Sequence, residues 1–112
     1  RWYMENNDAV QSILSELRRG VIVIAVLSQL KEEQYGYSLL KRLADQGFEM
    51  DQGTLYPLLR RLESQGLLQS IWRIEDDAHP RRYYVISSAG TDALVRLMNE
   101  WNQIVGTVQK ML

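Results

Sequence analysis

The sequence predicts a mainly α-helical chain with one small β-hairpin and a long amphipathic helix at its C-terminal end. Three observations carry that prediction. Leu55, Leu58, Leu59 and Leu62 recur at i, i+3, i+4 and i+7, the spacing of one apolar helix face. Two runs of β-forming residues, 67–74 and 81–86, flank a polar turn. Leu94, Leu97, Trp101, Ile104, Val108 and Met111 alternate three and four apart through the last segment.

Composition sets the bounds. A chain of 112 residues is expected to form one domain with a small core, which oligomerisation would help to stabilise. Lys and Arg total 13 against 14 Asp and Glu, a net charge of -1. The strongly basic balance that advertises a nucleic-acid partner is missing, so such a partner would have to be met by local clustering. The absence of cysteine excludes disulfides, thiolate zinc sites and thiol catalysis. No apolar run approaches the ~18–20 residues a membrane span needs, and no signal-peptide pattern appears. The expectation is a soluble cytoplasmic protein with no membrane partner. Arg1, Trp2 and Tyr3 precede Met4 and are set aside as an appended remnant.

Taken in order, Asp8 can cap a first helix carrying Ile13, Leu14 and Leu17, with Arg18-Arg19-Gly20 read as its interruption. The apolar run Val21–Leu27 is ambiguous. Its β-branched residues favour a buried strand, while Leu30 extends it at helical spacing. Residues 31–34 read as a polar turn. Gly36-Tyr37-Ser38 opens a helix with Leu39, Leu40 and Leu43 on its inner face; Gly47 closes it, and Phe48 can pack back on the last turn.

The next helix holds the leucine face. Gly53, Pro57, Arg60 and Ser64 lie opposite that face, with Tyr56 and Arg61 on its flanks. Asp51 and Thr54 are both suitable N-caps. A cap at Thr54 leaves Pro57 within the first turn at no loss, whereas a cap at Asp51 forfeits one intrahelical hydrogen bond. Gly66 suits the C′ stop. Two short helices joined by a tight Gly-containing turn read as a helix-turn-helix. The small N-terminal end of the outer face can approach a nucleic-acid backbone with free N–H groups and a positive dipole. A hairpin follows, its turn spanning 75–80, and Ser87 or Ser88 caps the last helix. The apolar stripe of that helix, widened by Met98, Val105 and Leu112, exceeds what a small domain can cover and points to a homodimer; a helix folded back on its own domain is the alternative.

Three short motifs carry a family resemblance. Gly53-Thr54-Leu55-Tyr56-Pro57-Leu58-Leu59-Arg60-Arg61-Leu62-Glu63 resembles the recognition-helix signature of PadR-type transcriptional regulators. Tyr35-Gly36-Tyr37 upstream and Pro80-Arg81-Arg82-Tyr83-Tyr84 downstream resemble that family's other marks, in the same order. The resemblance implies a winged helix-turn-helix with its N-terminal helix over residues 1–88 and a dimerisation helix over 89–112. It resolves Val21–Leu27 as a helix and makes the hairpin the wing.

The resemblance also implies a double-stranded DNA operator as partner, with Gly53, Thr54 and Tyr56 facing it. The hydroxyls of Thr54 and Tyr56 can donate to phosphate oxygens, a contact that positions without reading sequence; Tyr56 equally suits packing against the preceding helix. Arg60 and Arg61 are expected at phosphate or base edges, the alternative being a solvated basic face. Arg81 and Arg82 alternate across the wing strand, so one of the two is expected to reach DNA. Glu75, Asp76 and Asp77 would repel phosphate at the wing tip, where the family tends to be small or basic. Dimerisation falls to Leu94, Leu97, Trp101, Ile104 and Val108.

Trp101 is similar to a tryptophan that some PadR-like regulators with a single C-terminal helix use in pairs to stack flat aromatic drugs between subunits. By that resemblance Met98, Leu14, Leu17 and Val21 help line an effector pore; a dimer-core anchor with no ligand is the other reading of Trp101. His79 is the single histidine and has no partners at metal or catalytic spacing, and no Ser/His/Asp set or phosphate-cradling glycine loop stands out. No enzyme, metal or cofactor is expected. The expected function is a sequence-specific DNA-binding repressor released by a small aromatic effector; the alternative is a winged-helix module for protein contacts, with no effector pore.

Overall fold

A computed structural model describes residues 2–75 and 79–112, with residues 2–6 given through their backbone alone. Asp76 and Asp77 of the expected acidic tip lie outside the described residues. The elements run α1 (Trp2–Gln29), β1 (Gln34–Tyr35), α2 (Gly36–Asp45), α3 (Gln52–Ser64), β2 (Leu68–Arg73), β3 (Arg81–Ile86) and α4 (Ser88–Met111). The strands form one antiparallel sheet in the order β1-β3-β2.

The apolar spacing of each helix meets at one core. Val26, Leu27 and Leu30 come from α1 and its end, Leu39 and Leu43 from α2, and Leu55, Leu59 and Leu62 from α3; Leu68 and Tyr84 close it from the sheet. Val21–Leu27 is helical throughout, and Val26 and Leu27 are fully buried in that cluster.

Two expectations about the first half are corrected. Arg18-Arg19-Gly20 does not interrupt a helix: α1 runs unbroken through it, and Asp8 lies inside the helix rather than at its cap. Arginine is a good helix former, and an interior glycine costs only about 0.5–1 kcal/mol. Tertiary contacts supply more than that. The Arg18 guanidinium sits 4.9 Å from the Phe48 ring centroid and donates to the Glu49 carbonyl at 3.1 Å. The expected turn over 31–34 also ends differently. Gln34 pairs with Tyr84 and Tyr35 with Tyr83, which adds a short third strand to the hairpin.

Both short helices end in the same way. The N–H of Phe48 reaches the Leu43 carbonyl and that of Gly47 the Ala44 carbonyl, with Gly47 at φ +89°. Leu67 and Gly66 repeat the pattern on Leu62 and Glu63, with Gly66 at φ +81°. These paired bonds satisfy the last helical carbonyls and require left-handed backbone at C′, which glycine adopts without strain. Ser87 caps α4: its hydroxyl accepts from the Gly90 N–H at 2.9 Å and donates to the Gly66 carbonyl at 2.6 Å. The end of α3 is thereby fastened to the start of α4.

Candidate nucleic-acid interface

The cap of α3 is Asp51, not Thr54. Its carboxylate accepts from the Thr54 N–H at 2.8 Å, and Gln52 and Gly53 become the first helical residues. Pro57 then lies inside the helix and leaves the Gly53 carbonyl without its α-helical donor. The loss is small because Gly53 and Pro57 are both exposed, so water can serve that carbonyl. The carboxylate also takes up part of the helix-end dipole, so this terminus is less open to a phosphate than a bare one.

Leu55, Leu59 and Leu62 are buried, whereas Gln52, Gly53, Thr54, Pro57, Arg60, Arg61 and Ser64 are exposed. The outer face is therefore small at its start and cationic beyond. The two arginines point to different flanks. Arg60 lines a groove between α3, the start of α2 and the hairpin. Arg61 turns toward α1, beside Arg19, Thr54 and Pro57.

The groove holding Arg60 encloses about 310 Å³. Tyr35, Gly36 and Tyr37 form one wall, Tyr56 and Leu59 the second, and Trp72, Arg81, Arg82 and Tyr84 the third. Three segments far apart in the chain thus meet around one basic, aromatic-lined slot. Gly36 is needed for this: a Cβ there would lie 2.5 Å from Cε1 of Tyr56. The Tyr56 ring is accordingly half-buried against the start of α2, the packing alternative raised for it.

Alternation along β3 separates Arg81 from Arg82. Arg81 is exposed and lies 4.6 Å from the Tyr35 ring centroid, which stacks edge-on against Tyr83 at 5.5 Å. Arg82 points toward α3, donating to Glu63 at 2.6 Å and to the Ser70 hydroxyl at 3.0 Å. Burial pushes the Tyr84 phenol above its ordinary pKa, and the Arg82 guanidinium only partly opposes this. Among the described residues the ion pairs are Arg82–Glu63 and Arg73–Glu33, so Arg60, Arg61 and Arg81 have no acidic partner there.

Residues 23–96 match the family described as Transcriptional regulator PadR-like family. The chain belongs to that family. A PadR-family transcriptional regulator from Eggerthella lenta is 46% identical, with a TM-score of 0.89 over 96% of each chain. A transcriptional regulator of Mycobacterium tuberculosis is 37% identical over 82 residues, 72% of this chain and 76% of that protein. A PadR-like transcription factor from Bacteroides fragilis is 29% identical, with a TM-score of 0.77 over 90% of this chain and 99% of its own. The architecture is accordingly the winged helix of PadR regulators: α2 and α3 are the helix-turn-helix and β2–β3 the wing. Regulators of this family act in transcription rather than catalysis. No helix among the described residues is long and apolar enough to cross a membrane.

In this PadR chain the proposed tail residues divide. Leu94 and Leu97 are half-buried against the core, whereas Trp101, Ile104 and Val108 are exposed to 38%, 50% and 45%. Met98, Leu14 and Leu17 are exposed too, and Val21 is half-buried. They lie along α1 and α4, which pack against each other. Sequence reasoning missed Glu63 of α3 and Ser70 and Trp72 of the wing. Trp72 pairs with Arg82 across the hairpin and is 62% exposed at the groove. The signal was a tryptophan and an arginine on either side of the turn, but the register had to be known to use it.

Proposed function

We propose that this PadR regulator binds double-stranded DNA with the outer face of α3 in the major groove and the wing on the flanking backbone. The convergence of Tyr35-Gly36-Tyr37, Tyr56 with Arg60, and Arg81 around one groove carries this reading. Arg60 and Arg81 lack acidic partners among the described residues and stand on separate elements of that groove. Local clustering thus supplies the charge that the net balance of -1 withholds. Gly53 lets the helix start come close to the backbone, Thr54 offers a hydroxyl, and Arg61 serves the flank nearer α1. The wing reaches DNA through Arg81 rather than Arg82.

The chain acts as a homodimer, pairing α4 with α4 of a second copy so that Trp101, Ile104 and Val108 leave water. The exposure of these three, and of Val10, Ile13, Leu14 and Leu17 on α1, supports this, because large apolar side chains on both helices are left uncovered. Two recognition helices then address half-sites roughly 34 Å apart on an inverted repeat. Occupying a promoter represses it. A planar aromatic effector stacked at Trp101, with Met98, Leu14, Leu17 and Val21 around it, releases the DNA if it binds one dimer state more tightly than the other.

The decisive experiment is a binding titration with the DNA upstream of the protein's own gene across a salt series. Affinity should fall steeply with salt, and Arg60→Ala should flatten the log–log slope by about one unit or less. The near-neutral charge favours a second reading, a winged-helix module for protein contacts without an effector pore. A monomeric protein that ignores this DNA in dilute buffer would establish that reading instead.

A further inference from the structure

Glu63 belongs to α3, yet both of its carboxylate oxygens are spent on the wing. Oε1 accepts from Arg82 Nη2 at 2.6 Å, and Oε2 accepts from the Ser70 hydroxyl. The Ser70 hydroxyl in turn accepts from Arg82 Nε at 3.0 Å. One residue of the recognition helix, one of β2 and one of β3 thus form a closed triangle. The Arg82 guanidinium also lies 5.7 Å from the Trp72 ring centroid and 5.5 Å from that of Tyr84. The pair is partly shielded, with side-chain exposures of 35% for Arg82 and 26% for Glu63.

We infer that Glu63, Ser70 and Arg82 are positioning residues that lock the wing to the recognition helix at a set spacing. This rests on the DNA-binding reading above. The two elements touch DNA at different places, so their spacing decides whether both engage one duplex at once. Glu63 cancels the charge of Arg82, and among the described residues the groove's cations without an acidic partner are Arg60 and Arg81. Without the triangle the hairpin would have to be ordered on binding, which weakens affinity without changing how many phosphates are neutralised.

The sign of one substitution separates this from a contact role. Glu63→Gln removes an anion beside the DNA face. If Arg82 were a phosphate contact, losing Glu63 would free it and tighten binding. The positioning role requires Glu63→Gln to weaken binding instead, by roughly fivefold, on the scale of coupling within such a network. Anisotropy titrations of the upstream duplex across a salt series should show Arg82→Gln equally weakened with the wild-type slope. The double variant should be no weaker than either single one, and Arg81→Ala should flatten the slope by about one unit. Tighter binding by Glu63→Gln, or a slope loss in Arg82→Gln matching that of Arg81→Ala, overturns the inference.

Hydrogen exchange without DNA gives the independent arm. Amides of β2 and β3 should exchange faster in Glu63→Gln and Arg82→Gln but not in Arg81→Ala. Unchanged protection in the first two overturns the triangle's role. If the wild-type protein binds no duplex, the DNA reading fails, while the exchange data still decide whether the triangle holds the wing.

Discussion

Replacing Gly90 with alanine should loosen the seat of α4. A Cβ at this position would lie 2.0 Å from the Leu67 carbonyl oxygen and 2.7 Å from Cγ1 of Ile86. The carbonyl cannot step aside freely, because it accepts the Ser87 N–H at 3.1 Å and the neighbouring Gly66 carbonyl accepts the Ser87 hydroxyl at 2.6 Å. The start of α4 must retreat by about 1 Å, since Cβ contacts below 3.0 Å are essentially never seen. Overpacking of this kind costs roughly 1–3 kcal/mol, and weakening two hydrogen bonds adds about 1 kcal/mol each. Alanine's better helix propensity returns about 1 kcal/mol. The net loss is about 2–4 kcal/mol, which should lower Tm by on the order of 10 °C or more for a domain of this size. Gly20→Ala is the control. That glycine lies within α1 with nothing within 4 Å of the added carbon, and the change should stabilise by about 0.5–1 kcal/mol. Thermal unfolding followed by circular dichroism reads both. A Gly90→Ala protein with the wild-type Tm or higher would refute the packing argument.

Two further outcomes follow from the same geometry. Gly36→Ala should destabilise by about 1 kcal/mol, because its Cβ displaces the end of the Tyr56 ring. In a Tyr56→Ala background the same change should become neutral or slightly stabilising, and a double-mutant cycle by chemical unfolding that shows no such coupling would remove the contact from the account. Planar cationic dyes should quench tryptophan fluorescence in the wild-type protein and much less in Trp101→Ala; equal quenching in both would eliminate the effector site while leaving DNA binding untouched.

Much of the fold was legible because its signals are local. The leucine spacing of α3, the two C′ glycines, the β-forming run 81–86 and the serine cap of α4 each stand in a few adjacent residues. The failures share a cause as well. Arg18-Arg19-Gly20 has the look of punctuation, but the helix runs through it, and Arg18 meets Phe48 and Glu49, thirty residues away in sequence. Asp51 and Thr54 are both open as caps in the sequence; counting helical bonds alone cannot choose, because it gives no weight to the Asp51 carboxylate or to the solvent that serves the Gly53 carbonyl. Gln34 and Tyr35 are too short a stretch to announce a strand, and they become one only because β3 offers them a free edge. At the candidate site the three motifs were readable one at a time. Their meeting around one groove was not, and neither was the attachment of Arg82 to Glu63, since both depend on hairpin register and helix placement.

The unbroken course of α1 makes it a lever. Leu14 and Leu17 lie on its outlying half, and Val26 and Leu27 are sunk in the core about 15–20 Å further along the axis. A rod of that length tilted by about 5° shifts its buried end by roughly 1.5 Å. A hinge at Gly20 would have absorbed such a tilt. With the helix unbroken there, a tilt imposed at Leu14 or Leu17 would be carried to the turns that hold Val26 and Leu27 rather than absorbed in a bend.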